Sequence, residues 1–125
     1  MRTDGAPTIE QLLARYSHAV DDRRFDDVGL LFAPDGELHV GRTTFTGRNQ
    51  IIETLESAAR SSEPGKHVCS NVDVDITDDV AAVVSDFGFI AADRTVRSAG
   101  RYIDELRRID DRWFFAGRRI KATLR

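Results

Sequence analysis

The chain has 125 residues, of which 41% are apolar and 31% charged, and its formal net charge is −3. This composition predicts a globular domain with a hydrophobic core, and the length is enough for one such domain but too short for two. The scattered Lys and Arg residues form no basic stripe, which argues against nucleic acid or an anionic membrane surface as a partner, and no apolar run of about 18 residues could span a membrane.

The single cysteine and the N-terminal residues are the features of the sequence that indicate where in the cell the protein is located. Cys69 is the only cysteine, so neither an internal disulfide nor a cysteine metal cluster can form. Residues Met1 to Pro7 lack the apolar core of a signal peptide and are expected to be a flexible leader. A cytoplasmic location follows as the default expectation.

A first helix is predicted directly after this leader. Thr8 and Gln11 form a capping-box pattern, and apolar residues recur at helical spacing from Ile9 to Val20. Asp21 and Asp22 then occupy the last turn, where the helix dipole makes each exposed carboxylate unfavourable by about 0.3–1 kcal/mol. A locally unfavourable choice of this kind suggests a functional role.

Shorter elements are predicted next. Phe25 to Phe32 is amphipathic and is expected to form a second short helix, which the turn residues Ala33-Pro34-Asp35-Gly36 would end. Glu37 to Val40 and Thr43 to Thr46 alternate as a short hairpin. A third helix is expected from about Arg48 to Arg60, followed by a polar segment, Ser61 to Gly65, that we expect to be mobile.

The second half of the chain is predicted to be an antiparallel meander, because its strands are long and their connections short. Four strands are expected, at roughly His67–Ile76, Val80–Ala91, Gly100–Ile109 and Arg112–Ala122. The strand from Val80 is apolar on both faces, so both faces of the sheet need cover. Helices can cover one, and a second subunit is the simplest cover for the other, which predicts a homodimer.

This order of elements resembles the nuclear transport factor 2-like superfamily. Four local phrases resemble its SnoaL-like branch, namely Leu31-Phe32-Ala33-Pro34-Asp35-Gly36, Gly47 before the third helix, Gly100-Arg101-Tyr102-Ile103-Asp104, and Trp113 at the start of the last strand. The resemblance implies an α+β fold in which a cone-shaped, curved antiparallel sheet wraps around the N-terminal helices and encloses a pocket. This pocket hosts enzymes and non-catalytic binders alike.

Within the superfamily the site positions resemble those of scytalone dehydratase and the bile-acid dehydratases. The resemblance places a catalytic aspartate on Asp21, a catalytic histidine on His67 and, from the bile-acid enzymes, a tyrosine on Tyr16. Two tyrosines of scytalone dehydratase would fall on Val20 and Val40, which departs from that enzyme's pattern. Substrate contacts are expected from Val20, Val40, Leu55, Cys69, Asn71, Phe87, Tyr102 and Asp104.

Each candidate also has a structural interpretation. The helical wheel does not choose between Asp21 and Asp22, and either could be a solvated partner of the arginines that follow. Strand parity does not say which face His67 occupies, and Tyr16 lies on an apolar stripe where a core tyrosine is as reasonable as a proton donor.

Asp104 could enter the cavity or pair across strands with Arg118 or Arg119. His18 and His39 are expected to point outward, and the histidine spacing matches no metal motif. We therefore expect neither a metal nor a cofactor.

Three functions remain open from the sequence. The first is a cofactor-independent dehydratase or isomerase acting on a small apolar carbonyl compound such as a polyketide, terpenoid or steroid-like ring. In this hypothesis His67 is the base, Asp21 orients it, and Tyr16 or a bound water stabilises the enolate. The second is a non-catalytic homodimer that binds a small apolar molecule. The third is an epoxide hydrolase-like enzyme that would use Asp21, Arg101 and Asp104.

Overall fold

The computed structural model describes residues 6–124 of the chain. The elements follow in the order α1 (Ile9–Asp21), α2 (Phe25–Leu30), β1 (Phe32–Val40), β2 (Thr43–Thr46), α3 (Arg48–Ala59), β3 (Gly65–Thr77), β4 (Val80–Ala91), β5 (Val96–Ile109) and β6 (Arg112–Leu124). The predicted third helix, hairpin and four long strands are all present, with ends that differ by a few residues.

The six strands form one curved, open sheet in the order β2-β1-β6-β5-β4-β3. The meander from β3 to β6 is antiparallel, as predicted. The sheet as a whole is mixed, because β1 runs parallel to β6. The predicted α+β fold with a curved sheet and N-terminal helices is therefore confirmed, and the one parallel pairing joins strands far apart in sequence.

Helix α1 supplies the core of the concave side. The Thr8 side chain accepts a hydrogen bond from the Gln11 backbone and the Gln11 side chain accepts one from the Thr8 backbone, so the predicted capping box is present. The apolar stripe of the helix is buried against aromatic residues of the sheet, Phe32 and Phe115 among them. Burial of such side chains contributes about 1.5–3 kcal/mol each, and it fixes the end of α1 against the sheet.

Two local predictions were wrong. Helix α2 ends at Leu30 and β1 already begins at Phe32, so Ala33-Pro34-Asp35-Gly36 lies within an irregular strand rather than forming the turn that ends a helix. Ala6 and Pro7 are buried, so these two residues do not belong to a flexible leader. Residues 1–5, which complete the predicted leader, lie outside the described part of the chain.

A bulge in β3 changes which side chains face the core. The pairing of β3 with β4 shifts register between Ser70 and Asp73, and Asn71 adopts a positive φ of 54°. His67 and Cys69 are on the concave face before the bulge, whereas Val74 is on this face after it. The extra residue in the bulge at Asn71 explains why no single alternation of inward and outward side chains describes the whole of β3.

Large apolar side chains remain exposed on the outer face of the sheet. Val68, Ile90 and Ile103 are among them, and Val84 is half-buried beside Ile103. None of the helices within residues 6–124 is long and apolar enough to cross a membrane.

Candidate active site

Asp21 and His67 form the central polar contact of the concave side. Their Oδ1 and Nδ1 atoms are 2.6 Å apart. The His67 backbone N–H also donates to both carboxylate oxygens, at 3.1 and 3.0 Å. The two side chains are only 12% and 23% exposed, respectively. Since a carboxylate can only accept hydrogen bonds, the geometry places the ring proton on Nδ1 and leaves Nε2 for a substrate.

The chain positions this pair with two rigid elements. Asp21 is the last residue of α1, and His67 is the third residue of β3. The His67 ring also packs against Phe89 of the neighbouring strand, with centroids 4.9 Å apart. Asp22, the residue that the helical wheel could not separate from Asp21, is exposed instead and lies 3.6 Å from Arg24.

The pair opens onto a cavity of about 450 Å³. This volume falls within the range of small-molecule sites. Most of the wall is apolar, and it includes Val20, Phe25, Val40, Leu55, Phe87, Phe89 and Ile120. The cavity is thus suited to a largely apolar molecule that presents one polar group to Asp21 and His67.

Arg23 stabilises one rim of the cavity through hydrogen bonds. Its guanidinium donates to the carbonyl oxygens of Ala59, at 2.7 Å, and Ser62, at 3.1 Å. These bonds fasten the end of α3 and the polar segment after it to the end of α1. Across this segment, Glu63 pairs with Arg97 of β5 at 3.0 Å.

Two tyrosines line the cavity beside a buried guanidinium. Tyr16 and Tyr102 lie edge to face with their centroids 6.0 Å apart. The guanidinium carbon of Arg118 is 3.5 Å from the Tyr102 ring centroid and 4.2 Å from that of Tyr16. Its Nε is 3.1 Å from Asp104 Oδ1, and both side chains of this ion pair are fully buried. The contact lies within hydrogen-bond distance but does not meet the geometric criteria of a hydrogen bond, so the attraction between the two side chains is that of an ion pair.

Burial controls the ionisation of these groups. It raises the pKa of both tyrosines, while the Arg118 cation opposes the rise. Each hydroxyl is therefore a neutral hydrogen-bond donor at neutral pH rather than a base. Burial also raises the pKa of Asp104 to about 6, again against the pull of Arg118.

The structure brings together some of the expected site residues and leaves others apart. Tyr16, Val20, Asp21, Val40, Leu55, His67, Phe87 and Tyr102 all line the cavity. Three expected contacts do not line it. Cys69 packs against the core, Asn71 is exposed and donates to Asp86 at 2.9 Å, and Asp104 is occupied by Arg118.

Comparison with known proteins assigns the family. The profile of the SnoaL-like domain family matches residues 6–119. The chain belongs to the SnoaL-like family. No curated protein matches the sequence.

Solved structures show that this SnoaL-like protein shares its fold widely. A protein of unknown function with a cystatin-like fold from Nostoc punctiforme is 20% identical, covers 93% of this chain and 90% of its own, and has a TM-score of 0.87. A proposed scytalone dehydratase from Novosphingobium aromaticivorans is 24% identical, with coverages of 93% and 82% and a TM-score of 0.79. The protein LinA is 19% identical, with coverages of 92% and 83% and a TM-score of 0.83.

Sequence reasoning on this SnoaL-like protein missed two features of the site. The sequence predicts Arg118 only as a possible cross-strand partner of Asp104, whereas its guanidinium also packs against the two cavity tyrosines. Phe89, which packs on the His67 ring, was not singled out. The contact of Phe89 with His67 follows from the register of β3 and β4, which places these two residues opposite each other and cannot be obtained from the sequence alone.

Proposed function

We propose that this protein is a cofactor-independent dehydratase or isomerase acting on a small, largely apolar carbonyl compound. The observation that carries the proposal is the contact of 2.6 Å between Asp21 and His67 at an apolar cavity of about 450 Å³. An imidazole that is hydrogen-bonded to a carboxylate can act as a general base. The apolar cavity wall favours substrates whose carbon skeleton is apolar. The resemblance of Asp21 and His67 to the catalytic positions of the dehydratases supports the same reaction class.

The first step is proton abstraction from the carbon next to the substrate carbonyl. His67 Nε2 takes the proton, the electron pair of the broken C–H bond forms an enolate, and Asp21 stabilises the resulting imidazolium through Nδ1–H. In a dehydration, the enolate then expels the β-hydroxyl group, which takes the proton from His67 Nε2 and leaves as water. In an isomerisation, the imidazolium returns its proton to another carbon of the same enolate.

Tyr16 and Tyr102 are the donors for the enolate oxygen in this scheme. Both line the cavity, and burial keeps both hydroxyls protonated. The Arg118 cation beneath their rings favours negative charge at the cavity wall. Donors of this kind act in a water-poor site, where one of them is typically worth about 10²–10³ in rate.

The proposal is tested with 3-hydroxy-1-tetralone, an apolar β-hydroxyketone whose loss of water gives the fluorescent product 1-naphthol. We expect the protein to accelerate this elimination, and Asp21→Asn to reduce the acceleration by at least about 10²-fold, since general base catalysis contributes about 10²–10⁴. Asp22→Asn is the matched control, because Asp22 is the adjacent carboxylate and is exposed. It should retain the wild-type rate.

A specific observation keeps a binding function as the second candidate. Val20 and Val40 line the cavity at the positions where scytalone dehydratase has tyrosines. If the protein binds the hydroxyketone without accelerating elimination, and a β,γ-unsaturated ketone such as 3-cyclohexenone is not isomerised either, the cavity belongs to a binding protein. The epoxide hydrolase hypothesis is not retained, because Arg101 pairs with Asp86 and Asp104 pairs with Arg118.

A homodimer is part of the proposal. The exposed apolar side chains on the outer face of β3, β4 and β5 support it, because a second copy would remove them from water.

A further inference from the structure

A second cavity, of about 480 Å³, lies on a different face of α1. It is bounded by α1, α2, the start of α3 and the start of β6. No residue lines both this cavity and the one at Asp21 and His67. The proposed reaction makes no use of it, so the inference below does not depend on the proposed function.

The lining of this second cavity is strongly basic. Arg15, Arg24, Arg48 and Arg112 contribute four guanidinium groups, against the single carboxylate of Asp27. The lining therefore carries a net charge of +3 with His18 neutral, although the chain as a whole carries −3. Like charges gathered in one concavity repel one another, so the arrangement favours an anion from outside.

Most of this positive charge has no internal partner. Arg24 is neutralised, with Asp27 at 2.6 Å and Asp22 at 3.6 Å. Within residues 6–124, no carboxylate lies within ion-pair distance of Arg15, Arg48 or Arg112.

Arg48 is also held in place. Its Nε donates to the backbone carbonyl of Phe32 at 3.0 Å, in a partly buried position. This bond uses one side of the guanidinium fork and leaves the terminal nitrogens for a ligand. A guanidinium fixed in this way loses less conformational freedom on binding than a free one.

The remaining wall is apolar. Trp113 and Phe114 line the cavity at the start of β6, with Leu12 and Leu31 beside them. Leu30, also in the lining, is 59% exposed and so is available to a ligand. The cavity thus combines cationic groups with apolar side chains.

We propose that this cavity binds a small amphipathic anion. Its carboxylate or sulfonate group pairs with Arg15, Arg48 and Arg112, because a guanidinium fork matches the geometry of such groups. Its apolar body packs on Trp113 and Leu30.

The test uses two fluorescent probes that differ only in a sulfonate group. 8-Anilinonaphthalene-1-sulfonate carries the anion, and N-phenyl-1-naphthylamine has the same body without it. We expect Arg15→Gln/Arg112→Gln to raise the Kd of the sulfonate about tenfold, the combined effect of two partly exposed ion pairs. The Kd of the neutral probe should not change. The matched control is Arg42→Gln/Arg60→Gln, which removes two exposed arginines outside the cavity and should leave both Kd values unchanged.

The site of binding is read independently on the wild-type protein. Trp113 is the only tryptophan, so its indole N–H gives one assignable signal in a ¹H–¹⁵N spectrum. The sulfonate should shift this signal and the backbone amide of Leu30, and should leave the amide of His67 in place. The inference is overturned if the sulfonate does not bind, if it shifts His67 but not Trp113, or if the double arginine variant binds it as tightly as wild type.

Discussion

Asp21 stands where a carboxylate is intrinsically disfavoured, at the negative end of a helix. Three hydrogen bonds from His67 offset this cost. The sequence located the unfavourable pair of carboxylates but could not choose between Asp21 and Asp22. That choice depends on where β3 crosses the end of α1, which is a tertiary feature and leaves no local pattern.

The tyrosines provide a prediction on catalysis that separates chemistry from folding. Tyr102→Phe removes one hydroxyl from the cavity wall and keeps the ring that stacks on Phe87, with centroids 4.5 Å apart. We expect the rate of 3-hydroxy-1-tetralone elimination to fall by about 10², the typical loss for one oxyanion donor. Thermal unfolding followed by circular dichroism should show stability within about 1 kcal/mol of wild type. An unchanged rate would remove Tyr102 from the mechanism.

Asp104 gives a prediction on pH. Burial raises its pKa in the folded protein from 3.8 to about 6, so the folded state binds the proton more tightly than the unfolded state does. Its contribution to stability is therefore fully present below pH 4 and is lost as the pH rises through about 6, by at most about 3 kcal/mol.

Urea unfolding of wild type and Asp104→Asn between pH 4 and pH 7 measures this contribution. The stability of wild type relative to the variant should decline across this range. A relative stability that rises with pH would mean that attraction to Arg118 outweighs burial.

At the scale of elements, the helices and the meander were predictable because each has a local period. The bulge at Asn71 was not, since one extra residue reverses the alternation and Asn is only mildly preferred at positive φ. The parallel pairing of β1 with β6 was also missed, because strands so far apart in sequence carry no local signal of their pairing.

Among the glycines that the structure describes, Gly100 is the one at which an added Cβ would lie nearest to another atom. A Cβ at this position would overlap the carbonyl oxygen of Lys121 on β6, where the pairing of β5 with β6 shifts register. Gly100→Ala should therefore destabilise the protein by about 1–3 kcal/mol, as overpacking does. Gly88→Ala on β4 is the control, because a Cβ there meets no atom within 4 Å. Equal unfolding midpoints for the two variants would contradict this account.

At the scale of the whole molecule, the outer face of the sheet predicts the oligomeric state. Ile103 is exposed there and is paired across strands with Val84. Light scattering at micromolar concentration should give twice the chain mass of 14.0 kDa. Ile103→Lys should give the monomer, whereas Ile76→Lys, which changes an exposed residue at the far end of the concave face, should leave the dimer intact. A monomeric wild type would refute the dimer.

The central claim is that His67 removes a proton from carbon inside the cavity. Exchange of the α-protons of 1-tetralone with D₂O, followed by ¹H NMR, tests this step alone, because the ketone has no leaving group. The account predicts that wild type accelerates the exchange and that His67→Gln lowers the acceleration by at least about 10²-fold. Exchange as fast with His67→Gln as with wild type, or no acceleration although the ketone binds in the cavity, would contradict it.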